Sequence, residues 1–184
     1  MNQKRIVLAF EIILRLLRGD AHGREVSKHL NVPLTSVQRA LSDLEKKNIL
    51  DFKISGKNKI YFIKKNLCAR KYVFSAENYK LLKLIENYPL LEPIFSEIIN
   101  VCDSSLIILF GSYAKFNPKK DSDIDIYVET SDKQVKKQIE MIHSKLSVKI
   151  GIFNVNSLLI KEIIKNHVIV KGVEQYYEKS GFFE

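Results

Sequence analysis

The sequence predicts two domains: a mainly-α module closed by a β-hairpin, then an α/β module with a small mixed sheet. Three observations carry this expectation. The chain has 184 residues, the length of one large or two small domains. Its charge is split: residues 1–74 carry 16 Lys+Arg against 6 Asp+Glu, a net of +10, whereas residues 75–184 carry 14 against 15, a net of −1. The apolar pattern is helical to about Lys47, turns into a hairpin, and after two further helices becomes strand, turn, strand, helix, strand. The expected divisions are 1–74, a helical connector over 75–103, and 104–184.

Composition sets the outer limits. Hydrophobic residues make up 46% and charged ones 28%, enough for a buried core under a soluble surface. No purely apolar run exceeds the five residues of Leu106 to Phe110. A membrane-spanning helix needs about 20, so no membrane partner is expected. The opening Met1-Asn2-Gln3-Lys4-Arg5 leads into a pattern broken by Glu11 and Arg15, which is not a secretory signal. Cys68 and Cys102 have no metal-ligand spacing, and a reducing cytoplasm is the expected setting. His22, His29, His143 and His167 are scattered and form no metal pattern.

In the first module Ile6, Val7, Phe10, Ile13, Leu14 and Leu17 recur at helical spacing, predicting an amphipathic helix that ends at Gly19. A short helix is expected over Gly23 to Leu30, then a turn at Asn31-Val32-Pro33. Pro33 suits the opening of a helix, where its missing N–H costs nothing. That helix runs to about Lys47 with Val37, Leu41 and Leu44 inward. Residues Ile49–Ile54 and Lys59–Ile63 then flank Ser55-Gly56-Lys57-Asn58, a hairpin with a basic tip. Helix, short helix, turn, helix and basic hairpin is the order of a winged helix-turn-helix. His22 to Lys65 resembles the winged-helix modules of bacterial and archaeal transcription regulators, most closely over Val32–Leu41 and Leu44–Leu50. The resemblance implies nucleic-acid contact, with double-stranded DNA as the expected partner. The third helix would enter the major groove with Thr35, Ser36, Gln38, Arg39 and Ser42 outward, where Gln and Arg can read base edges. Lys57 and Lys59 on the wing, with Lys46 and Lys47, would contact phosphate.

Ser75 reads as the N-cap of a helix from Ala76 to Tyr88, with Tyr79, Leu82 and Ile85 inward. Glu92 to Val101 reads as another, with Ile94, Phe95, Ile98 and Ile99 apolar. Whether these helices link the modules or join the second core is left open by the pattern.

The second module carries the chemistry. Ser105–Phe110 is a buried strand that runs into Gly111-Ser112. Asp121–Val128 is a second strand, a helix is expected from about Lys133 to Leu146, and Val148–Phe153 is a third strand. Gly111 permits close approach to the backbone, and Ser112 with the following N–H groups would favour phosphate. Asp123 and Asp125, two apart on a strand, project from one face while Ile124 and Ile126 take the other. Adjacent carboxylates repel unless a cation joins them. Mg²⁺, with Mn²⁺ as the substitute, suits carboxylates plus nucleotide phosphates. A phosphate-cradling turn beside a divalent-metal site points to phosphoryl or nucleotidyl transfer.

Phe110-Gly111-Ser112-Tyr113-Ala114 followed by Ser122-Asp123-Ile124-Asp125 resembles the signature of the polymerase-β-type nucleotidyltransferases, most of all their minimal members, over about residues 104–172. The resemblance implies that Gly111 and Ser112 bind a nucleoside triphosphate and that Asp123 and Asp125 are catalytic and hold Mg²⁺. It also implies a third acidic residue on the next strand. There Lys149 and Gly151 face outward, and Gly151 is the position expected to replace the acid; Asp121 and Glu129 are the nearby acids in sequence. The expected function is therefore a Mg²⁺-dependent protein that binds a nucleoside triphosphate and transfers NMP to an acceptor, targeted to nucleic acid by its winged helix. The alternative is a DNA-binding regulator whose second domain is weak or inactive in catalysis. The resemblances also allow a homodimer and an antitoxin-like pairing with a small helical toxin.

Overall fold

The computed structural model describes residues 3–184. It divides into two compact units. One holds the described residues up to Tyr79 together with Phe183 and Glu184; the other is Lys80–Phe182. Among the described residues no helix is long and apolar enough to cross a membrane.

The first unit opens with α1 (Gln3–Leu16), which buries Ile12, Ile13 and Leu16. Of the expected stripe Ile13 is buried and Ile6, Phe10, Leu14 and Leu17 are half-buried, but Ile12 and Leu16 are buried beside them and Val7 is left exposed. The reason is that Ile6–Phe10 and Ile12–Leu14 are nearly continuous apolar runs, so spacing alone cannot phase the helix. A two-residue strand, β1 (Ala21–His22), leads into α2 (Gly23–Leu30). His22 caps α2: its Nδ1 accepts the Glu25 N–H at 3.2 Å, and the Glu25 carboxylate accepts the His22 N–H at 3.0 Å. Asn31, in the left-handed conformation, ends α2. After Pro33 comes α3 (Leu34–Lys46), which buries Val37, Leu41 and Leu44. The hairpin of β2 (Leu50–Ser55) and β3 (Asn58–Ile63) turns at Gly56-Lys57, and β1 adds to β3, giving an antiparallel sheet of order β1-β3-β2.

The next element departs from expectation. α4 (Leu67–Asn87) is one continuous helix through Ser75. The Ser75 hydroxyl donates back to the Lys71 carbonyl at 3.0 Å, as a mid-helix serine does. Asn66 is the residue that starts the helix, its side chain accepting the Ala69 N–H at 2.9 Å.

In the second unit, α5 (Leu91–Val101) follows. The sheet has four strands, β4 (Ile107–Phe110), β5 (Ile124–Glu129), β6 (Leu146–Gly151) and β7 (Val168–Lys171), in the order β6-β5-β4-β7. β5 and β6 are parallel and the other pairs antiparallel, so the sheet is mixed. A four-residue helix, α6 (Gly111–Ala114), follows β4, and α7 (Lys133–Ile142) connects β5 to β6. α8 (Leu158–Lys165), capped by Ser157, and α9 (Val173–Lys179) complete the unit. Of the helices left open by the sequence pattern, α5 and the part of α4 after Tyr79 belong to this core: Leu84, Leu91, Ile94, Phe95 and Ile98 pack with Ile107, Leu109, Ile126, Val128 and Val148. Leu82, expected inward, is 61% exposed, and Leu84 takes its place. Beyond the end of β6 at Gly151 the alternation of Val148 and Ile150 stops, and Ile152 is 81% exposed. Both cysteines are free thiols, Cys68 exposed and Cys102 buried.

Candidate active site

β4 delivers the chain to the site. Its last residue, Phe110, pairs with Asp125 of β5. The next residue, Gly111, has φ +73° and lies directly against the Asp125 carboxylate. A Cβ at Gly111 would fall on Asp125 Oδ2 and lie 3.0 Å from its Cγ. Both conformation and space therefore require glycine there. Ser112 follows at the start of α6, half-buried; its carbonyl accepts the N–H groups of Lys115 at 3.2 Å and Asn117 at 3.1 Å, which closes the turn.

Asp123 is exposed at the entry to β5, and Asp125 is half-buried one pleat further on. Ile124 and Ile126 between and beyond them are fully buried on the opposite face. The segment ahead is fixed by Ser122, whose hydroxyl accepts the Lys119 N–H at 2.8 Å. Burial holds the Asp125 carboxyl above the usual carboxylate range; a hydrogen bond from Ser147 opposes this, the Asp123 charge adds to it, Lys149 opposes it and Glu162 adds to it. The site thus keeps two carboxylates close, one of them partly desolvated.

The register of β5 on β6 relocates the missing acid. Asp125 is opposite Ser147, Tyr127 opposite Lys149, and Glu129 opposite Gly151. Gly151 therefore sits four residues down the strand, about 13 Å from the carboxylates. The position that faces Asp125 is Ser147, which spacing along the sequence had not singled out. Glu129 is not a substitute either. It accepts the Phe153 N–H at 3.1 Å, pairs with Lys179 at 3.1 Å, and lies at the far end of β5. Asp121 is exposed in the turn ahead of the strand. Among the described residues no three His, Cys, Asp or Glu side chains come together as a metal cluster. The donor set is two hard oxygen ligands, which fits Mg²⁺, an ion commonly held by one or two carboxylates together with substrate phosphates.

Residues 96–175 match the family model Polymerase beta, Nucleotidyltransferase. No curated protein and no solved structure gives a match. The matched stretch contains Gly111, Ser112, Asp123 and Asp125, so the second unit is nucleotidyltransferase-like in the part that builds the site.

The residues expected to meet nucleic acid lie in the first unit, outside the nucleotidyltransferase match. Thr35, Gln38, Arg39 and Ser42 are exposed on α3, with Lys46 on the same side. Ser36 is half-buried and lines a groove along α1 together with Arg39 and Lys46. Lys57 is exposed at the hairpin tip. Lys59 is engaged within the unit: its ammonium is 3.5 Å from the centre of the Phe52 ring and 3.7 Å from the Glu45 carboxylate. Lys53 and Lys64 are likewise paired, with Asp20 at 2.8 Å and Asp51 at 3.4 Å. The cationic surface of this unit is smaller than its residue count suggests.

Proposed function

We propose that the chain is a divalent-metal-dependent nucleotidyltransferase that takes a nucleoside triphosphate at Gly111, Ser112, Asp123 and Asp125. The observation that carries this reading is the contact of Gly111 with the Asp125 carboxylate, which joins the Gly-Ser turn and the acidic pair into one site. Ser112 would hold phosphate by its hydroxyl, while Asp123 and Asp125 would ligate Mg²⁺. When bound, the metal neutralises triphosphate charge and the charge that develops on transfer. An acceptor hydroxyl attacks the α-phosphorus, the α–β phosphoanhydride bond breaks, and pyrophosphate leaves. The first unit, read as a winged helix, would bring this site to duplex DNA through Thr35, Gln38, Arg39, Ser42 and Lys57.

A second reading has its own observation. Ser147 is neutral and faces Asp125, so β6 sets no carboxylate opposite the pair to take the acceptor's proton. A general base contributes about 10²–10⁴-fold, so the same site could bind nucleotide and signal to a DNA-bound winged helix with little turnover.

Calorimetric titration of Mg²⁺ with non-hydrolysable nucleoside triphosphates, into wild type and the Asp123→Asn, Asp125→Asn variant, tests the shared premise. Binding by wild type alone is expected; absence of binding for every triphosphate would sink both readings. Pyrophosphate release with added acceptors then separates transferase from sensor.

A further inference from the structure

The first unit holds a groove that shares Arg39 with the surface assigned to DNA but extends beyond it to α1 and α4. It has a volume of about 890 Å³ and is lined by α1, α3 and the early part of α4. Phe10 and Ala9 of α1, Ala40 of α3 and Tyr72 of α4 give it apolar walls. Its charge is one-sided. Arg5, Arg39 and Lys46 line it, with Lys4 and Lys47, against the single carboxylate of Asp43.

The spacing of these cations selects the class of ligand. Arg39 and Lys46 are seven residues apart on α3, a span of about 10 Å. One phosphate or carboxylate cannot meet cations spread over that length. A nucleic-acid backbone could, but it has no apolar face to set against Phe10 and Ala40. A second copy of the chain would bring the same cations to the same groove, and like charges would oppose. An amphipathic helix with an acidic flank meets both demands, with apolar side chains on the walls and carboxylates toward the rim.

We propose that this groove docks an acidic amphipathic helix of a partner protein. Arg39 and Lys46 also stand on the exposed side of α3, so a docked helix covers part of the surface assigned above to DNA. The two ligands then exclude each other, a consequence that rests on the winged-helix reading; the docking itself does not.

The test uses the full chain and a fluorescein-labelled peptide of about 15 residues, long enough for four turns. It carries Leu at alternating third and fourth positions and Glu at most others, and binding is followed by anisotropy at about 0.15 M salt, where the Debye length is about 8 Å. Saturable binding is expected, weakened at least about tenfold in Ala40→Glu, which fills the apolar wall, and in Lys46→Glu, whose exposed side chain can change without loss of fold. A thermal scan of each variant confirms that it is folded. A peptide of equal charge with every Leu replaced by Ser should bind at least about tenfold more weakly. Equal binding of the Ser peptide would overturn the proposal and return the surface to polyanions alone. No binding of the Leu peptide would overturn it too. So would concentration-dependent self-association of the chain that Ala40→Glu abolishes, since the occupant would then be a second copy.

Discussion

The two units treat clustered like charges in opposite ways. In the first, several cations are paired locally: Lys59 with Glu45 and the Phe52 ring, Lys53 with Asp20, Lys64 with Asp51. In the second, Asp123 and Asp125 are brought together and one of them is partly desolvated, with a neutral serine as the facing residue. Exposed pairs of the first kind are worth about 0–1 kcal/mol and tell little about function. A pair of carboxylates held against a glycine, at a cost to the empty fold, is the arrangement that asks for a cation. The net of +10 over residues 1–74 stands after those pairs are counted, whereas the acidic pair of the second unit is offset only in part, by Lys149 and the Ser147 hydroxyl acting on Asp125.

The sharpest way to break this comparison is at Gly111. Gly111→Ala would place a methyl on the Asp125 carboxylate and put a side chain at φ +73°. We expect nucleotide binding to be lost, with destabilisation of about 2–4 kcal/mol from overpacking and backbone strain. Calorimetry and denaturant unfolding measure the two effects; wild-type values in both would show that the glycine and the carboxylate do not meet.

The acidic pair comes next. Asp125→Asn should remove metal-dependent nucleotide binding, a loss of at least about 100-fold in affinity, yet leave the metal-free fold as stable or more so at neutral pH. The sign follows from linkage. Because the folded protein holds the Asp125 carboxyl above its ordinary value, the native state binds that proton more tightly than the unfolded chain. The favourable contribution is present below the ordinary carboxylate range and is lost as pH rises through the raised value. Asn has no such loss. Denaturant unfolding of wild type and variant from about pH 4 to 7 should show their stability difference move in favour of Asn as pH rises; the opposite slope would mean that Asp125 is stabilised as a carboxylate by its surroundings.

For the first unit the expected effects are smaller. The pair Gln38→Ala, Arg39→Ala should weaken duplex binding about 10–100-fold if these side chains reach base edges. Lys57→Ala should lower the slope of log affinity against log salt by about 1, the signature of one lost phosphate contact. Lys59→Ala should lower it less, because Glu45 and Phe52 already hold that ammonium. Equal slopes for the two lysines would remove the distinction between relieved and available charge.

Much of this was legible in residues that act locally. The end of α2 and the start of α3 follow from Asn31 and Pro33, and the hairpin from Gly56, whereas the cap that His22 gives α2 was not read in advance. What escaped depends on partners remote in sequence. The unbroken apolar runs of α1 hide which side is buried, and Ser75 imitates a cap that Asn66 provides. Gly111, Ser112, Asp123 and Asp125 could be picked out as motifs, but the closeness of Gly111 to Asp125 comes from the pairing of Phe110 with Asp125. The β6 position that faces Asp125 was hidden for a related reason. Alternation along β6 shows which residues point outward but not how far the strand slides along β5. That offset is set by the connection through α7, and it brings Ser147, not Gly151, to the carboxylate.

Ser147 accordingly gives the finest test. Its hydrogen bond favours the ionised form of Asp125, so Ser147→Ala should raise the Asp125 carboxyl further. Mg²⁺ requires the carboxylate, so its binding should weaken a few-fold, with the loss largest at the acid end of the titration and fading as pH rises. Ser147→Asp should act the other way once metal is present. It supplies a third oxygen ligand beside the pair, tightening Mg²⁺ and raising any slow pyrophosphate release. Glu129→Gln, which removes the ion pair with Lys179 at the other end of β5 while its amide oxygen still accepts the Phe153 N–H, should leave Mg²⁺ affinity unchanged while reducing stability by no more than about 1 kcal/mol. Calorimetric Mg²⁺ titrations of the three variants at two pH values decide the matter. If Glu129→Gln changed metal affinity and the Ser147 variants did not, the ligand set would extend toward Gly151, and the register argument would have placed the site at the wrong end of the strand.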